Sequence, residues 1–382
     1  MSNLVKRKRK KRKKAKKLKI LKMLLLSLLG FAIAVPAVIL CLAFIGVYRE
    51  DQDVLYNAKA NREQIWGNCI SDIILAGVVI YDHPKYNFKL DEVTVEISVS
   101  GETAEKEYDI AFVNDLHLIT DSKPGDVLEE KLPTVRERHD NLSVTADGVH
   151  AEELWPEVIK FLNYHNFDAV IFGGDMLDYC SHSNMAALAE GFDNLKYPKE
   201  KVLYLRSDHD YGGWYGGGIF TDADGFMAQA ELWDGDQSEG WIAFDDFLIV
   251  GINKSYQNLS DERLQFLMGK LNEEKPVIVA THVPFYSEVD ESLAEKSMEV
   301  RNRIYYWNQE DSSYSPDENT QKLIDSMYDE DSNVVQILAA HLHAAWDGNV
   351  TEHVREHIFA PTYEGRIGVI HVRTVNDKEG NR

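Results

Sequence analysis

Five short motifs rich in aspartate and histidine each follow an apolar run of the kind that forms a buried β-strand. In chain order they are Asp115-Leu116-His117, Gly173-Gly174-Asp175-Met176-Leu177-Asp178, Asp208-His209-Asp210, Thr281-His282 and His341-Leu342-His343. In an α/β fold the carboxyl ends of parallel strands meet at one edge of the sheet, so side chains that follow several strands converge there. Carboxylate oxygens and imidazole nitrogens are metal ligands. The pattern therefore predicts a metal site assembled from distant parts of the chain.

A single Asp-x-His or His-x-His pair carries little information, because 13 histidines in 382 residues produce such pairs by chance. Five such motifs, each placed after a β-rich run, make coincidence improbable. We therefore prefer the metal site to the alternative, in which these polar residues are ordinary core or surface groups.

Strand-like and helix-like segments alternate along most of the chain. Alternating polar and apolar residues at 93–99 predict a strand. Amphipathic periodicity and end signals predict helices at 152–163, 184–195, 260–273 and 321–328. This alternation favours an α/β layered domain at 85–382, preceded by a stalk or helical linker at 49–84.

Two polar segments interrupt this alternation. The first, from Thr120 to His150, connects the first motif to the next helix and contains Arg136, Arg138 and His139. The second, 290–318, is charged and contains Tyr305, Tyr306 and Trp307. Long connections near a site often carry specificity. A solvated surface insertion is an equally good interpretation of both.

The N-terminal part of the chain has the pattern of a membrane anchor. Thirteen basic residues and no acidic residue lie at 6–22, and the uncharged apolar run 23–48 that follows is long enough to span a bilayer. Cleavage as a signal peptide after Ala34 is the rival interpretation, but it would leave an apolar new terminus. We therefore expect a cytoplasmic polybasic tail at 1–22, which also contacts anionic lipid, and a transmembrane helix at 23–48, with the rest of the chain outside the cell membrane.

The remainder of the chain is strongly acidic, because all 63 Asp and Glu residues lie after the basic tail. An acidic domain repels polyanions, so nucleic acid is an unlikely partner. The glycine-rich run 211–218 lacks the Gly-Lys-Ser/Thr ending of a phosphate-binding loop. It is interpreted either as a mobile loop that offers Trp214 or Tyr215 to a substrate or as a turn-rich connection.

The order and spacing of the five motifs resemble those of the calcineurin-like metallophosphoesterase family, over roughly residues 106 to 373. The resemblance implies a layered α/β/β/α sandwich, in which two mixed β-sheets pack face to face with helices outside. It also implies two divalent metal ions; manganese, iron and zinc all suit mixed histidine and carboxylate ligands. The implied ligands are, for one ion, Asp115, His117 and His343; for the second, Asp208, His282 and His341; and, shared by both, Asp175.

The resemblance also implies roles for the other polar residues of the motifs. His209 resembles the histidine that contacts phosphate and protonates the leaving oxygen, a role suited to a group that titrates near neutrality. Asp178 and Asp210 occupy positions where the family commonly has carboxylates, and we interpret both as groups that orient ligands.

Asp208 departs from the family pattern, which usually has Asn-His at this point. In a site with two divalent ions, a third carboxylate lowers the net positive charge by one. Our hypothesis is tighter cation binding and weaker attraction for a dianionic phosphate, which favours diesters over monoesters. A site that holds only one metal firmly is also left open.

These inferences predict a membrane-anchored, outward-facing, metal-dependent phosphoesterase that uses metal-activated hydroxide without a covalent enzyme intermediate. The substrate classes considered are a lipid head group, an envelope-polymer phosphodiester and a nucleotide, and the anchor favours a substrate at the membrane surface. One alternative is a catalytically weak or inactive binding or scaffold protein of the cell envelope, which Asp208 favours and His209 opposes. Another is a structural envelope protein without transition metal.

Overall fold

The computed structural model of the chain describes six stretches and four single residues. These are 83–99, 105–120, 127–212, 239–253, 259–308 and 314–376, with Gly225, Ala228, Gln229 and Leu232. The predicted tail 1–22, the predicted span 23–48 and most of the predicted linker lie outside them, as do Trp214 and Tyr215, and the domain boundaries stay predictions. In the part of the chain that is described, no helix has the length and apolar character needed to cross a membrane.

The described strands form two mixed sheets. In chain order they are β1 (Lys89–Val99), β2 (Glu107–Val113), β3 (Ala169–Gly173), β4 (Val202–Leu205), β5 (Glu239–Ala243), β6 (Leu248–Ile252), β7 (Val277–Thr281), β8 (Val334–Ala339), β9 (Trp346–Asn349), β10 (Arg355–Ile358) and β11 (Arg366–Asn376). The first sheet has the order β1-β11-β2-β3-β4 and the second β5-β6-β7-β8-β10-β9. Strands β2, β3 and β4 are parallel neighbours, as are β6, β7, β8 and β10.

The described helices lie between these strands. They are α1 (Leu132–Asn141), α2 (Ala151–His165), α3 (His182–Asn194), the single turn α4 (Asp208–Tyr211), α5 (Asp261–Leu271), α6 (Ser292–Arg301) and α7 (Glu318–Tyr328). The four predicted helices correspond to α2, α3, α5 and α7. The Ser260 hydroxyl accepts the Arg263 N–H at the start of α5, which confirms the predicted N-terminal cap.

The two sheets pack face to face because successive side chains of a strand point to opposite faces. Phe112 of β2 and Ile171 of β3 face Ile278 and Leu338 of the second sheet. On the outer faces, α2 and α3 cover the first sheet and α5 and α7 cover the second. Central strands buried on both faces read as continuous apolar runs, as β3, β6 and β7 do. The two mixed sheets flanked by helices are thus confirmed.

The first polar segment, 120–150, contains α1, whose Val135 and Leu132 pack against Ile119 and Tyr179. The second segment contains α6, which packs Leu293 against the start of the last motif. Both segments therefore lie against the motifs.

Candidate metal centre

The five motifs meet at the carboxyl ends of β2, β3 and β4 in one sheet and of β7 and β8 in the other. Main-chain hydrogen bonds join them: Asp115 donates its N–H to the Gly174 carbonyl at 2.9 Å, and Ala340 donates to the His282 carbonyl at 3.0 Å. The His341 N–H donates to Oδ2 of Asp115 at 3.0 Å, which links the two sheets. The predicted convergence of the motifs is observed.

One group of side chains comprises Asp115, His117, Asp175 and His343, and we call it the first group. Oδ1 of Asp115 lies 3.3 Å from Nε2 of His343 and 3.9 Å from Nε2 of His117. The two Nε2 atoms are 3.0 Å apart. Oδ2 of Asp175 is 3.7 Å from Nε2 of His117. Two carboxylates and two imidazoles thus face a common centre.

The second group comprises Asp175, His282 and His341. Oδ2 of Asp175 lies 3.3 Å from Nε2 of His282, which is 3.1 Å from Nδ1 of His341. The same carboxylate oxygen therefore belongs to both groups, whereas Oδ1 of Asp175 accepts the Ser207 hydroxyl. A carboxylate shared by two sets of ligands is the arrangement expected for a binuclear metal site.

Asp208 is the predicted ligand that lies outside both groups. Its Oδ2 is 3.9 Å from Nε2 of His209, and its Oδ1 is buried with no hydrogen-bond partner among the described residues. It begins α4, where Ser207 and Asp210 form a reciprocal cap with the backbone. Its role as a ligand stays a prediction.

The backbone of the site is held in an uncommon conformation. Among the described residues, seven non-glycine residues have positive φ, and five of them belong to the two groups. They are Asp115 (44°), His117 (48°), Asp175 (50°), His341 (67°) and His343 (56°). Left-handed backbone costs roughly 1–3 kcal/mol per non-glycine residue and persists where the surrounding structure enforces it, mostly at functional sites. The strain therefore coincides with the residues that the sequence singled out.

Gly174 separates β3 from Asp175 and has a packing reason to be glycine. Its φ is +93°, and a Cβ there would lie 2.6 Å from Nδ1 of His282. A side chain at this position would displace the imidazole of the second group. The Gly-Gly-Asp motif is thus explained by close approach as well as by backbone conformation.

Each of the four histidines in the groups uses its outward nitrogen for a hydrogen bond. The pairs are His117 Nδ1 with Asp178 Oδ1 (2.9 Å), His282 Nδ1 with the Gly173 carbonyl (2.8 Å), His341 Nε2 with the Tyr314 hydroxyl (2.8 Å) and His343 Nδ1 with the Tyr363 hydroxyl (3.1 Å). Such outer bonds fix which nitrogen faces the metal. Here Nε2 faces inward in three of the histidines and Nδ1 in His341.

Of the two carboxylates interpreted as orienting groups, Asp178 contacts a predicted ligand and Asp210 contacts the backbone of two motifs. Asp178 accepts from His117 and also from Arg138 of α1, whose Nε and Nη2 lie 2.7 and 2.5 Å from its two oxygens. Asp210 accepts the backbone N–H groups of Leu177 and Ser207 at 2.9 and 3.0 Å. Both carboxylates connect one motif to its neighbour.

The buried carboxylates and histidines of the site shift one another's pKa values. Burial by itself raises the pKa of Asp175, but the charges of His209 and His282 hold that pKa well below its ordinary value. Burial lowers the pKa of His282, yet the carboxylates of Asp175 and Asp115 raise it to about 10. The carboxylates thus create a strongly negative potential at the centre. A divalent cation placed there displaces protons from the imidazoles.

His209 lies at the mouth of the site and belongs to neither group of shared ligands. Its Nδ1–H donates to the Asp178 carbonyl at 2.8 Å, and its Nε2 is 4.0 Å from Oδ2 of Asp175. Burial lowers the pKa of His209, but Asp175, Asp208 and Asp178 raise it to about 9. The surrounding carboxylates therefore favour a proton on Nε2, which lies near the shared carboxylate.

The donor set fits divalent cations. Oδ1 of Asp115, at the centre of the first group, is buried and faces Nε2 of His343 at 3.3 Å, and no other residue in the described part of the chain approaches it as a donor, so a cation would fill its open acceptor positions. Two pairs of imidazole nitrogens also face each other at 3.0 and 3.1 Å. Mixed nitrogen and oxygen ligands suit manganese, iron or zinc, and the geometry does not choose among them.

The structure adds residues that the motifs did not indicate. Tyr314 and Tyr363 contact the outward nitrogens of two histidines, and Arg301 donates to the carbonyls of His341 and Leu342 at 3.1 and 3.0 Å. Tyr363 follows β10, so its place after a strand was a signal of the same kind as the motifs. Tyr314 and Arg301 lie in the second polar segment, where the sequence offered no comparable signal.

Comparison with solved structures gives weak matches. A dimetal phosphatase from Danio rerio has 12% identity and a TM-score of 0.38 over 67% of this chain and 88% of its own. A phosphopantetheinyl hydrolase from Mycobacterium tuberculosis has 12% identity and a TM-score of 0.35 over 67% and 90%. A purple acid phosphatase from yellow lupin has 11% identity and a TM-score of 0.37 over 69% and 44%. No inference about substrate follows from scores this low.

The family comparison is more specific. No curated protein matches the chain. The sequence model described as calcineurin-like phosphoesterase matches residues 108–345, which is more than half of the chain and includes all five motifs. The chain therefore belongs to the calcineurin-like phosphoesterase family.

Proposed function

We propose that this protein is a metal-dependent phosphoesterase that hydrolyses a phosphodiester or phosphomonoester at the centre around Asp175. The single observation that carries the proposal is the position of Oδ2 of Asp175, which both groups of ligands share. Two divalent cations held by these groups supply charge for the phosphoryl oxygens and lower the pKa of water.

The protein's own residues complete this chemistry. Neighbouring carboxylates favour the protonated form of His209, and its Nδ1–H bond to the Asp178 carbonyl directs Nε2 toward the centre. It is the most exposed imidazole of the site, with 15% of its side chain accessible. A leaving oxygen that enters from the solvent side therefore meets His209, which donates the proton.

We propose a phosphodiester as the preferred substrate, because Asp208 adds a negative charge beside His209. A dianionic monoester is repelled more strongly than a monoanionic diester. A membrane anchor at 23–48, also proposed, places the domain beside lipid head groups and envelope polymers. A reporter fused after Arg382 checks this topology: activity confined to the cytoplasm refutes it.

The test of hydrolysis uses purified full-length protein, Mn²⁺ and bis-p-nitrophenyl phosphate. We expect turnover that requires the metal, and a fall in kcat of about 10²- to 10⁴-fold in His209→Ala. His353→Ala, at an exposed histidine before β10, serves as the matched control. Metal binding without turnover of a phosphoester panel favours the binding or scaffold protein instead. Absence of bound transition metal favours a structural envelope protein.

A further inference from the structure

We infer that each of the two polar segments, 120–150 and 290–318, controls one of the two metal positions, the first through Arg138 and the second through Tyr314. The inference rests on the proposed metal centre and deepens it, because it names positioning residues outside the ligand sets. Its consequence is that occupancy of the two positions can be changed one at a time.

Arg138 acts on the first group. Its guanidinium forms a two-point contact with the buried carboxylate of Asp178, which in turn accepts the Nδ1–H of His117. The two-point contact fixes the position and the plane of the Asp178 carboxylate. The carboxylate in turn fixes the rotation of the His117 ring, so loss of the guanidinium frees that rotation. Arg138 therefore keeps Nε2 of His117 directed at the first group.

The position of Arg138 depends on the segment around it. Val135 of α1 is buried against Ile119 and Tyr179, which adjoin the first and second motifs. Arg138 lies three residues later on the same helix, about one turn away. The apolar contact thus places the guanidinium, and the guanidinium places the ligand.

Tyr314 acts on the second group by a different contact. Its hydroxyl lies 2.8 Å from Nε2 of His341, and the ring of Tyr305 stacks on the same imidazole at 4.2 Å with an interplanar angle of 2°. Nδ1 of His341 is thereby left facing His282. Tyr314 is buried, with 1% of its surface accessible. When the hydroxyl accepts the Nε2–H of His341, Nδ1 is left with its lone pair free to bind a metal.

The two outer contacts act on the metal centre through different histidines. Arg138 reaches it through His117, which is in the first group and not the second, and Tyr314 through His341, which is in the second group and not the first; His117 also clusters with Asp178 and His209. Asp175 is the residue that the groups share. Loss of either outer contact is therefore expected to weaken one position and leave the other nearly unchanged.

The experiment titrates metal-free, full-length protein with Mn²⁺ alone. Calorimetry counts the binding steps, and electron paramagnetic resonance separates a coupled pair of Mn²⁺ ions from a single ion. We expect two steps in the wild type, and Arg138→Gln and Tyr314→Phe each to weaken a different step by about 10- to 100-fold. His117→Ala and His341→Ala, which each remove one ligand, provide the reference spectra that identify the affected position.

Matched controls are available for each substitution. Arg136→Gln changes an exposed arginine of α1, and Tyr164→Phe changes a tyrosine of α2 whose ring contacts His165. Neither is expected to change either step by more than about threefold, well below the loss of an outer partner. The inference is overturned if Arg138→Gln and Tyr314→Phe weaken the same step, weaken both equally, or match the controls.

Melting curves show whether each variant folds. If Arg138→Gln does not fold, Arg138→Lys keeps the charge without the two-point contact and is expected to weaken the same step by a smaller factor. An effect of Arg138→Lys on the other step, or on neither, overturns the inference. A wild type that binds no Mn²⁺ refutes the proposed function itself. A wild type that binds two ions and hydrolyses diesters, with variants that match it, refutes only the inference.

Discussion

Asp175 and Glu356 are both buried carboxylates, but their surroundings give them opposite charge states. At Asp175, the charges of His209, His282 and His117 overcome burial and hold the pKa well below its ordinary value. At Glu356 in β10, burial raises the pKa to about 8. The Phe285 N–H and the charge of His357 lower this pKa, but by less than burial raises it. Oε2 of Glu356 is buried without a hydrogen-bond partner in the described residues.

The comparison teaches that burial of an acid does not by itself indicate a metal site. Asp175 has imidazoles within 4 Å and is an anion that can hold a cation. Glu356 lies under Phe285 and Tyr328 and is best described as a neutral acid of the core. The neighbouring charges, rather than burial, separate the two cases. Three changes break or sharpen this contrast.

The largest effect is expected for Asp175→Asn. The amide keeps the shape but removes the shared charge, so both metal positions lose affinity. We expect kcat/KM to fall by more than about 100-fold, because loss of a hydrogen-bond partner of a ligand alone costs up to about that factor. Metal analysis after dialysis and diester kinetics provide the measurement. Asp193→Asn, at an exposed position in α3, is the control. Retention of two metals by Asp175→Asn contradicts the shared role.

An intermediate effect is expected for Asp208→Asn. Asp208 is partly buried; burial and the nearby charge of Asp175 raise its pKa, whereas the charges of His209 and His282 lower it. Removing its charge should improve kcat/KM for a monoester relative to a matched diester by on the order of tenfold. The ratio is measured with paired aryl phosphate substrates at saturating Mn²⁺. An unchanged ratio means that Asp208 does not set the preference for diesters.

The smallest effect on activity, and a clear effect on stability, is expected for Glu356→Gln. In the folded chain Glu356 keeps its proton up to about pH 8, whereas its ordinary pKa is 4.5. Between these values the folded state binds more protons than the unfolded state. The free energy of unfolding therefore falls as the pH rises, by at most ~1.4 kcal/mol per pH unit from this group.

Glu356→Gln removes this slope, so the variant gains stability relative to the wild type as the pH rises from 5 to 8. Denaturant unfolding at several pH values measures the difference. Glu352→Gln, at an exposed residue, should show no such trend. A difference between Glu356→Gln and the wild type that does not vary with pH indicates that Glu356 is ionised in the core.

The sequence was most informative where a residue follows a strand. His117, Asp175, His282, His341 and His343 come directly after apolar runs, and parallel strands carry such residues to a common edge. The helices α2, α3, α5 and α7 were predictable from periodicity and caps. The two-sheet arrangement came from the family resemblance, because alternation of strands and helices is compatible with several α/β folds.

The sequence was least informative in the two polar segments. Nothing in residues 120–150 distinguishes Arg138 from the exposed Arg136, since the difference appears only when α1 packs on Tyr179. Tyr314 lies 27 residues before His341, and its hydroxyl bond depends on how the second segment folds. The sequence likewise could not predict that Asp208 lies outside both groups, because a motif gives the order of residues and not the distances between them.

The amino-acid sequence alone indicated which side chains converge, since the order of strands along the chain and the residue that follows each strand are local properties of the sequence. Tertiary structure alone decided how they are held: which oxygen of Asp175 is shared, which nitrogen of each histidine faces inward, and which arginine neutralises Asp178. The physical reason is that these features are set by distances of a few ångströms between segments far apart in the chain, and by charges whose effect changes with burial.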